Sequence, residues 1–494
     1  MKKEKNMKKL WQKDTQLNKT IEAFETEGDL VLDQKLVEWD VYGTLAHVYG
    51  LKKIGLLTAK EAGTAQKGLL EILAKNSGGS FTLSKGDEDV HTKIENYLTH
   101  NYGEVGKKIH TGRSRNDQVL TAMRLFTKNE LLKIWQALLA LAKSLLDFAK
   151  EHEFVPIPGY THMQKAMPMT VGMWAAAFVE SLADDSKLFE IIYGLNNQSP
   201  LGSAAGFGVP LALDREYTAK LLGFTHQNDG SCCSPAPQPP TMGTPAVGRP
   251  GSHHPSLQYH HSIQQNSLYC QNSRGKIEAT VVSGLIGQLQ TINKLASDIL
   301  FFTSSELKYF TVDPSLCTGS SIMPQKQNVD IAELLRSKVH LVLGQYTSLV
   351  SLSSNLISGY NRDLQDSKKP LFESLEITLS SLQVANLLVQ GLYPNYQKLY
   401  QSMTPELFAT HKALELVAQG MSFRQAYQTI GKDIKSIQKM SKEEIDELLK
   451  TSTHIGSTGN LGLVKLEKQL KKEMNKVEKE KKEFEEVIKS LIKY

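Results

Sequence analysis

Apolar residues recur at three- and four-residue intervals over most of this chain, and the intervals persist for long runs. The spacing predicts helices over 117–150, 170–195, 277–302, 329–357 and 363–392, each well beyond the roughly 11-residue mean of globular helices. Strand-like alternation is nearly absent. Helices this long, apolar around much of their circumference, imply an all-α fold with a bundle buried at its centre and some faces left for other subunits. Ahead of the bundle, 30–49 carries a helical rhythm, and Thr58 opens another helix with Glu61 in capping-box position. Behind it, 403–450 reads as shorter helices and 451–462 as a Ser/Thr/Gly loop. Leu463, Leu470, Val477, Phe484 and Leu491 then recur at every seventh position, while Glu467 and Lys481 interrupt the companion seam. A packing helix is expected there rather than a free-standing coiled coil. The expected domains are an N-terminal helical domain (1–112), a central bundle (113–370) and a C-terminal helical domain (371–494).

The polar clusters fall between the helices. Residues 318–330 read Thr-Gly-Ser-Ser-Ile-Met-Pro-Gln-Lys-Gln-Asn-Val-Asp. Gly319 and Pro324 oppose helix, and Ser320, Lys326 and Asn328 bring a hydroxyl, a cation and an amide together, so the segment is either a lid for an anion or a polar connector. It lacks the Gly-x-Ser-x-Gly spacing of a hydrolase nucleophile. The densest cluster is 107–118, Lys-Lys-Ile-His-Thr-Gly-Arg-Ser-Arg-Asn-Asp-Gln, whose Arg113 and Arg115 suit bidentate carboxylate recognition. The apolar helix behind it sets this cluster towards the interior. Residues 159–164, Gly-Tyr-Thr-His-Met-Gln, hold Thr161 and His162 in a turn before a helix. Residues 201–210 are Gly-rich but match neither dinucleotide nor P-loop fingerprints. His91 shares a helical face with Glu95 and lies near Glu88; a hydrogen-bonded structural histidine is expected over a metal ligand.

Composition narrows the class. With 494 residues, 40% hydrophobic and 22% charged, the chain reads as globular, and its 57 basic against 52 acidic residues give too small an excess to indicate a nucleic-acid partner. No apolar run approaches the roughly 18 residues of a membrane span, and the basic N-terminus has no apolar core behind it, so neither a membrane nor a secretory route is expected. The four cysteines form neither a disulfide framework nor a zinc spacing, which fits a reduced cytoplasm. Residues 227–262 are out of character: rich in Pro, Ser, His and Gly, with Cys232-Cys233, His253-His254 and His260-His261. Their ligand spacing matches no familiar zinc pattern, so a disordered insertion or a scar of altered reading frame is expected rather than a metal module.

Together, Gly-Ser-Ser-Ile-Met-Pro-Gln-Lys-Gln-Asn, His-Thr-Gly-Arg-Ser-Arg-Asn-Asp-Gln and Gly-Tyr-Thr-His-Met-Gln make the chain resemble the argininosuccinate lyase family, within the fumarase, aspartase and adenylosuccinate lyase superfamily. The resemblance implies three mainly helical domains in a homotetramer with a twenty-helix core, and active sites shared among three subunits. It also implies a cofactor-free, metal-free elimination that splits argininosuccinate into arginine and fumarate in arginine biosynthesis. On this resemblance His162 and Ser320 are the proton-transfer residues, with the division of protons between them open, and Glu333 orients His162. Lys326 and Asn328 meet the carboxylate whose charge grows on proton removal. Ser114, Asn116, Thr161, Tyr360, Gln365 and Lys368 bind substrate, and Arg113 and Arg115 are carboxylate partners or structural anchors. Tyr269, Gln271, Asn272 and Arg274 are similar to a structured segment beside the site. Two departures stand out: the family's Lys-Lys-Asn-Pro-Asp is Lys326-Gln327-Asn328-Val329-Asp330 here, and Asp29 falls near a substrate-binding serine. A catalytically silent, crystallin-like homologue and an adenylosuccinate lyase-type enzyme are the alternatives.

Overall fold

The computed structural model describes residues 18–84, 87–224 and 263–494, so the expectation for 227–262 falls outside the described residues. The rhythm read over 30–49 belongs to two helices, α1 (Lys19–Gln34) and α2 (Val37–Lys53). They part at Lys35 and Leu36, whose amides bond the Leu32 and Asp33 carbonyls in a tight turn. Helix α3 (Ala59–Ser77) starts at the Thr58–Glu61 capping box, and Asp89 caps α4 (Val90–Tyr102) by accepting from the Thr92 amide.

The bundle consists of α5 (Arg115–Glu151), α6 (Val171–Asn196), α7 (Lys276–Phe302), α8 (Asp330–Leu352) and α9 (Lys368–Gln390). Two boundaries differ from the periodic pattern. Helix α8 stops at Leu352, and Arg362–Ser367 form a 3-10 segment ahead of α9. The cause is a Ser/Gly-rich stretch, with Asn355 and Gly359 at positive φ, that interrupts an otherwise apolar rhythm.

Side-chain contacts give the helix directions. At one end of the bundle Phe148 of α5, Trp174 of α6, Phe302 of α7 and Phe310 pack with ring centroids 5.3–6.3 Å apart. At the other, Asn196 donates to the Arg124 carbonyl and Arg124 to Ser273 Oγ. Successive helices are therefore antiparallel. With 37 residues at about 1.5 Å each, α5 is roughly 55 Å long, and Arg124 and Phe148 lie roughly 36 Å apart along it. Midway, buried Trp135 donates to Ser186 Oγ at 2.8 Å.

The strands are short two-stranded ribbons. β1 (Pro156–Thr161) pairs with β2 (Gln164–Thr170), β3 (Phe310–Val312) with β6 (Leu392–Pro394), and β4 (Thr318–Gly319) with β5 (Gln327–Asn328). Prolines at 156, 158 and 168 hid the first ribbon from a reading based on alternation. Helix α10 (Leu463–Lys493) buries its heptad seam, Leu463 through Leu491, against α2, α5 and α6. A smaller cluster of Met403, Leu407, Phe408, Ile445 and Leu449 forms a core of its own. Among the described residues, no helix is long and apolar enough to cross a membrane.

Candidate active site

Where α1, the start of α5 and the 360–368 segment meet, a cavity of about 230 Å³ is lined by Asp29, Arg115, Asn116, Arg274, Tyr360, Gln365 and Lys368, among others. Ser114 places the α5 side of it. Its Oγ accepts from the Asn116 amide at 3.3 Å, and Asp117 accepts from the Ser114 amide at 2.9 Å. The second Asp117 oxygen accepts from the Gly202 and Ala204 amides, both at 3.0 Å, which anchors the Gly-rich loop here. Burial pushes the Asp117 carboxyl up to about 6 against those donors. The two arginines have different partners. Arg113 is buried and donates to Thr44 Oγ1 at 3.0 Å, an anchor of the fold. Arg115 pairs with Glu88 at 2.6 Å and Asp89 at 3.2 Å at the cavity wall.

Lys368 is the most constrained group. Its Nζ bonds Asp29 Oδ2 at 2.7 Å and Asp33 Oδ1 at 2.5 Å, and Asp33 Oδ2 accepts from the Val90 amide at 3.0 Å. Burial would lower the ammonium, but the two carboxylates outweigh it and raise it. Burial also raises the Asp29 carboxyl; Lys368 opposes that only in part, and Asp33 adds to it. The two directions have one cause: a single cation is shared by two anions, so Lys368 stays charged and Asp29 is under-neutralised. Gln365 donates to the Glu25 carbonyl at 2.9 Å. Nearby, buried His91 is bonded through Nδ1 to Asp40. Among the described residues no group of three His, Cys, Asp or Glu side chains is placed to hold a metal ion.

The remaining candidates lie at the opposite end of the bundle. Thr161 and Gln164 pair across a two-residue turn made by His162 (φ 52°) and Met163 (φ 62°). Such a turn favours Asn-Gly, because a side chain in the left-handed region costs about 1–3 kcal/mol. The strain sets the His162 side chain in solvent at the hairpin tip. Lys165 fastens the hairpin to the Ser402 carbonyl at 2.9 Å, and Tyr160 meets Tyr309 through their hydroxyls at 2.9 Å. The 318–328 segment is itself a hairpin, closed by the β4–β5 pairs Thr318–Asn328 and Gly319–Gln327. Ser320 Oγ accepts from the Ile322 and Met323 amides at 3.3 and 3.1 Å, and Lys326 is exposed. Glu333 lies on the exposed face of the first turn of α8. Among the described residues no hydrogen bond or ion pair joins Glu333 to His162. Helix α8, with 23 residues and so roughly 35 Å long, separates the 318–328 hairpin ahead of its first turn from Leu352, which lines an adjoining cavity of about 720 Å³ that shares Asp29 and Gln365 with the first, and His162 is tens of ångströms from both. The chain thus brings together Arg115, Asn116, Tyr360, Gln365 and Lys368, with Ser114 behind them, and holds Thr161, His162, Ser320, Lys326, Asn328 and Glu333 apart from that group. Asp33 and Asp89 were not read as part of this region; no local spacing marks them.

A family model described as Lyase matches residues 6–233 and 263–344, breaking off within the atypical segment. The EDDS lyase structure in complex with formate superimposes with a TM-score of 0.74 at 20% identity, over 97% of this chain and 95% of that one. Class II fumarase from Schistosoma mansoni gives 0.63 at 17% identity, over 83% and 90%. The fold and the family match define a lyase. The argininosuccinate lyase of Thermotoga neapolitana is 39% identical over 85% of this chain and 97% of its own length, and that of Sorangium cellulosum 36% over 94% and 98%. The chain belongs to the argininosuccinate lyase family.

Proposed function

We propose that this chain splits argininosuccinate into arginine and fumarate, without a cofactor, as a cytoplasmic step of arginine biosynthesis. The observation that carries the reading is the 39% identity that extends over 97% of the Thermotoga neapolitana argininosuccinate lyase. The cavity chemistry agrees with it. Removing a proton beside a carboxylate builds negative charge that needs cations and donors, and breaking the carbon–nitrogen bond then needs a proton for the leaving guanidine. In this reading Asn116, Tyr360, Gln365 and Lys368 bind substrate, with Ser114 and Thr161. Ser320 and His162 move the protons, Glu333 orients His162, and Lys326 and Asn328 meet the dianionic intermediate. Acid–base transfer supplies about 10²–10⁴-fold and an oxyanion donor about 10²–10³-fold, so both are required.

The roughly 30 Å or more between these groups calls for several copies, with one end of the bundle set against the opposite end of a neighbour. Helix α8 supports this arrangement. Leu334 and Leu341 are 58% and 51% exposed, and Ser337, Gly344 and Ser348 beside them leave room for close helix approach. Four copies, each lending residues to shared sites, form the proposed assembly. Fumarate release, followed by ultraviolet absorbance, tests the reading: purified protein should release fumarate from argininosuccinate and none from adenylosuccinate. Release from neither, by an assembled protein, would overturn it.

A further inference from the structure

Arg274 is only 3% exposed and lines the 230 Å³ cavity, yet its Nε has no hydrogen-bond partner, and among the described residues its guanidinium forms no ion pair. A buried cation without an anion is costly, and a guanidinium is the side chain best shaped to take a carboxylate on two parallel donors. The Tyr360 ring covers it, 5.8 Å from Cζ to the centroid. Asp29 lines the same cavity and has the complementary shortage, since it shares the single ammonium of Lys368 with Asp33. Asp29 also lines the adjoining 720 Å³ cavity. The cavity thus offers a cation that no carboxylate contacts directly and, near enough for Arg274 to lower its carboxyl, an anion that shares one ammonium.

We infer that Arg274 and Asp29 form a receptor for the head group of an α-amino acid, Arg274 taking the carboxylate and Asp29 the ammonium. The inference rests on the proposed reaction, in which that amino acid is the arginine end of substrate and product. It makes Arg274 and Asp29 specificity-determining residues, and it gives the Asp29 departure a function.

Calorimetric titration of the full-length protein tests this with three ligands: arginine, agmatine, which lacks the carboxylate, and 5-guanidinopentanoate, which lacks the ammonium. Wild type should bind arginine at least about tenfold more tightly than either analogue, as a charge-assisted contact implies. Arg274→Gln should erase the advantage over agmatine while leaving agmatine affinity within about twofold. Asp29→Asn should erase the advantage over 5-guanidinopentanoate in the same way. Arg274→Lys, which keeps the charge and loses the fork, should give an intermediate loss confined to the two carboxylate ligands, and it serves if the glutamine variant does not fold. Equal weakening of arginine and agmatine in either Arg274 variant would overturn the inference. So would a selective loss of succinate or fumarate binding, which would assign Arg274 to the other end of the substrate. Binding is read without turnover, so an inactive wild type would refute the proposed reaction and leave the receptor separately measured.

Discussion

Replacing Lys368 with Met removes the one cation from a buried triad while keeping a side chain of similar length. The carboxylates left behind have little water to turn to: the Asp29 and Asp33 side chains are 13% and 1% exposed. Removing one partner of a buried ion pair costs about 3–5 kcal/mol, a large part of the roughly 5–15 kcal/mol that holds a domain together. The expected result is a lower urea midpoint at pH 7 with an unchanged slope, measured at fixed protein concentration. The pH dependence has a definite sign. Burial and mutual repulsion raise the orphaned carboxyls above the roughly 3.9 of an unfolded aspartate. A raised folded pKa gives stability that is full below the unfolded value and lost as pH rises through the folded value. The deficit of Lys368→Met against wild type should therefore be largest near neutrality and shrink in acid. Adding Asp29→Asn should recover part of it, because one uncompensated charge is gone, whereas Asp33→Asn also strips the acceptor of the Val90 amide. A loss below about 1 kcal/mol, or a deficit that widens in acid, would refute the reasoning.

Ser320→Ala should abolish fumarate release without moving the urea midpoint, since among the described residues Ser320 Oγ bonds only amides of its own exposed hairpin; near-normal turnover would remove it from the mechanism. Mixed assemblies of Ser320→Ala and His162→Asn should regain part of wild-type activity, measured after co-refolding, and no recovery would count against sites shared between copies. Lys128 is buried with Asn197 and Gly223 as acceptors, and burial pulls its ammonium down to about 7. A lowered folded pKa gives stability that is present above the unfolded value and lost as pH falls towards 7, so wild type should gain on Lys128→Met between about pH 7 and 10; parallel stability curves would contradict this. Gly172→Ala would set a Cβ 2.6 Å from Glu153 Cα and 2.8 Å from the Ala149 carbonyl. It should cost about 1–3 kcal/mol by overpacking the α5–α6 junction, read from thermal or urea unfolding.

The five bundle helices were legible because their signal is local and repeated: each apolar position predicts the next three or four residues on. The α10 seam was legible for the same reason, and all five of its heptad residues are buried. The β1–β2 hairpin was not, because its prolines break the alternation that marks a strand, and the left-handed conformations of His162 and Met163 leave no trace in residue type. The polar clusters were legible as chemistry, since hydroxyl, amide and cation crowd into short loops, but whether Arg113 is an anchor depends on Thr44, some seventy positions earlier.

The sequence by itself determined the helical class and the three polar motifs, which follow from residue types within a dozen positions. Only the tertiary structure decided that Lys368 is shared by Asp29 and Asp33, more than three hundred positions away, and that Arg274 is buried with no ion pair among the described residues. It alone set Asn116, Tyr360 and Gln365 around one cavity and held His162 and Ser320 tens of ångströms from it. The physical reason is that periodicity determines which face of a helix is buried, whereas charge pairing and burial depend on which distant segments the packing brings within a few ångströms.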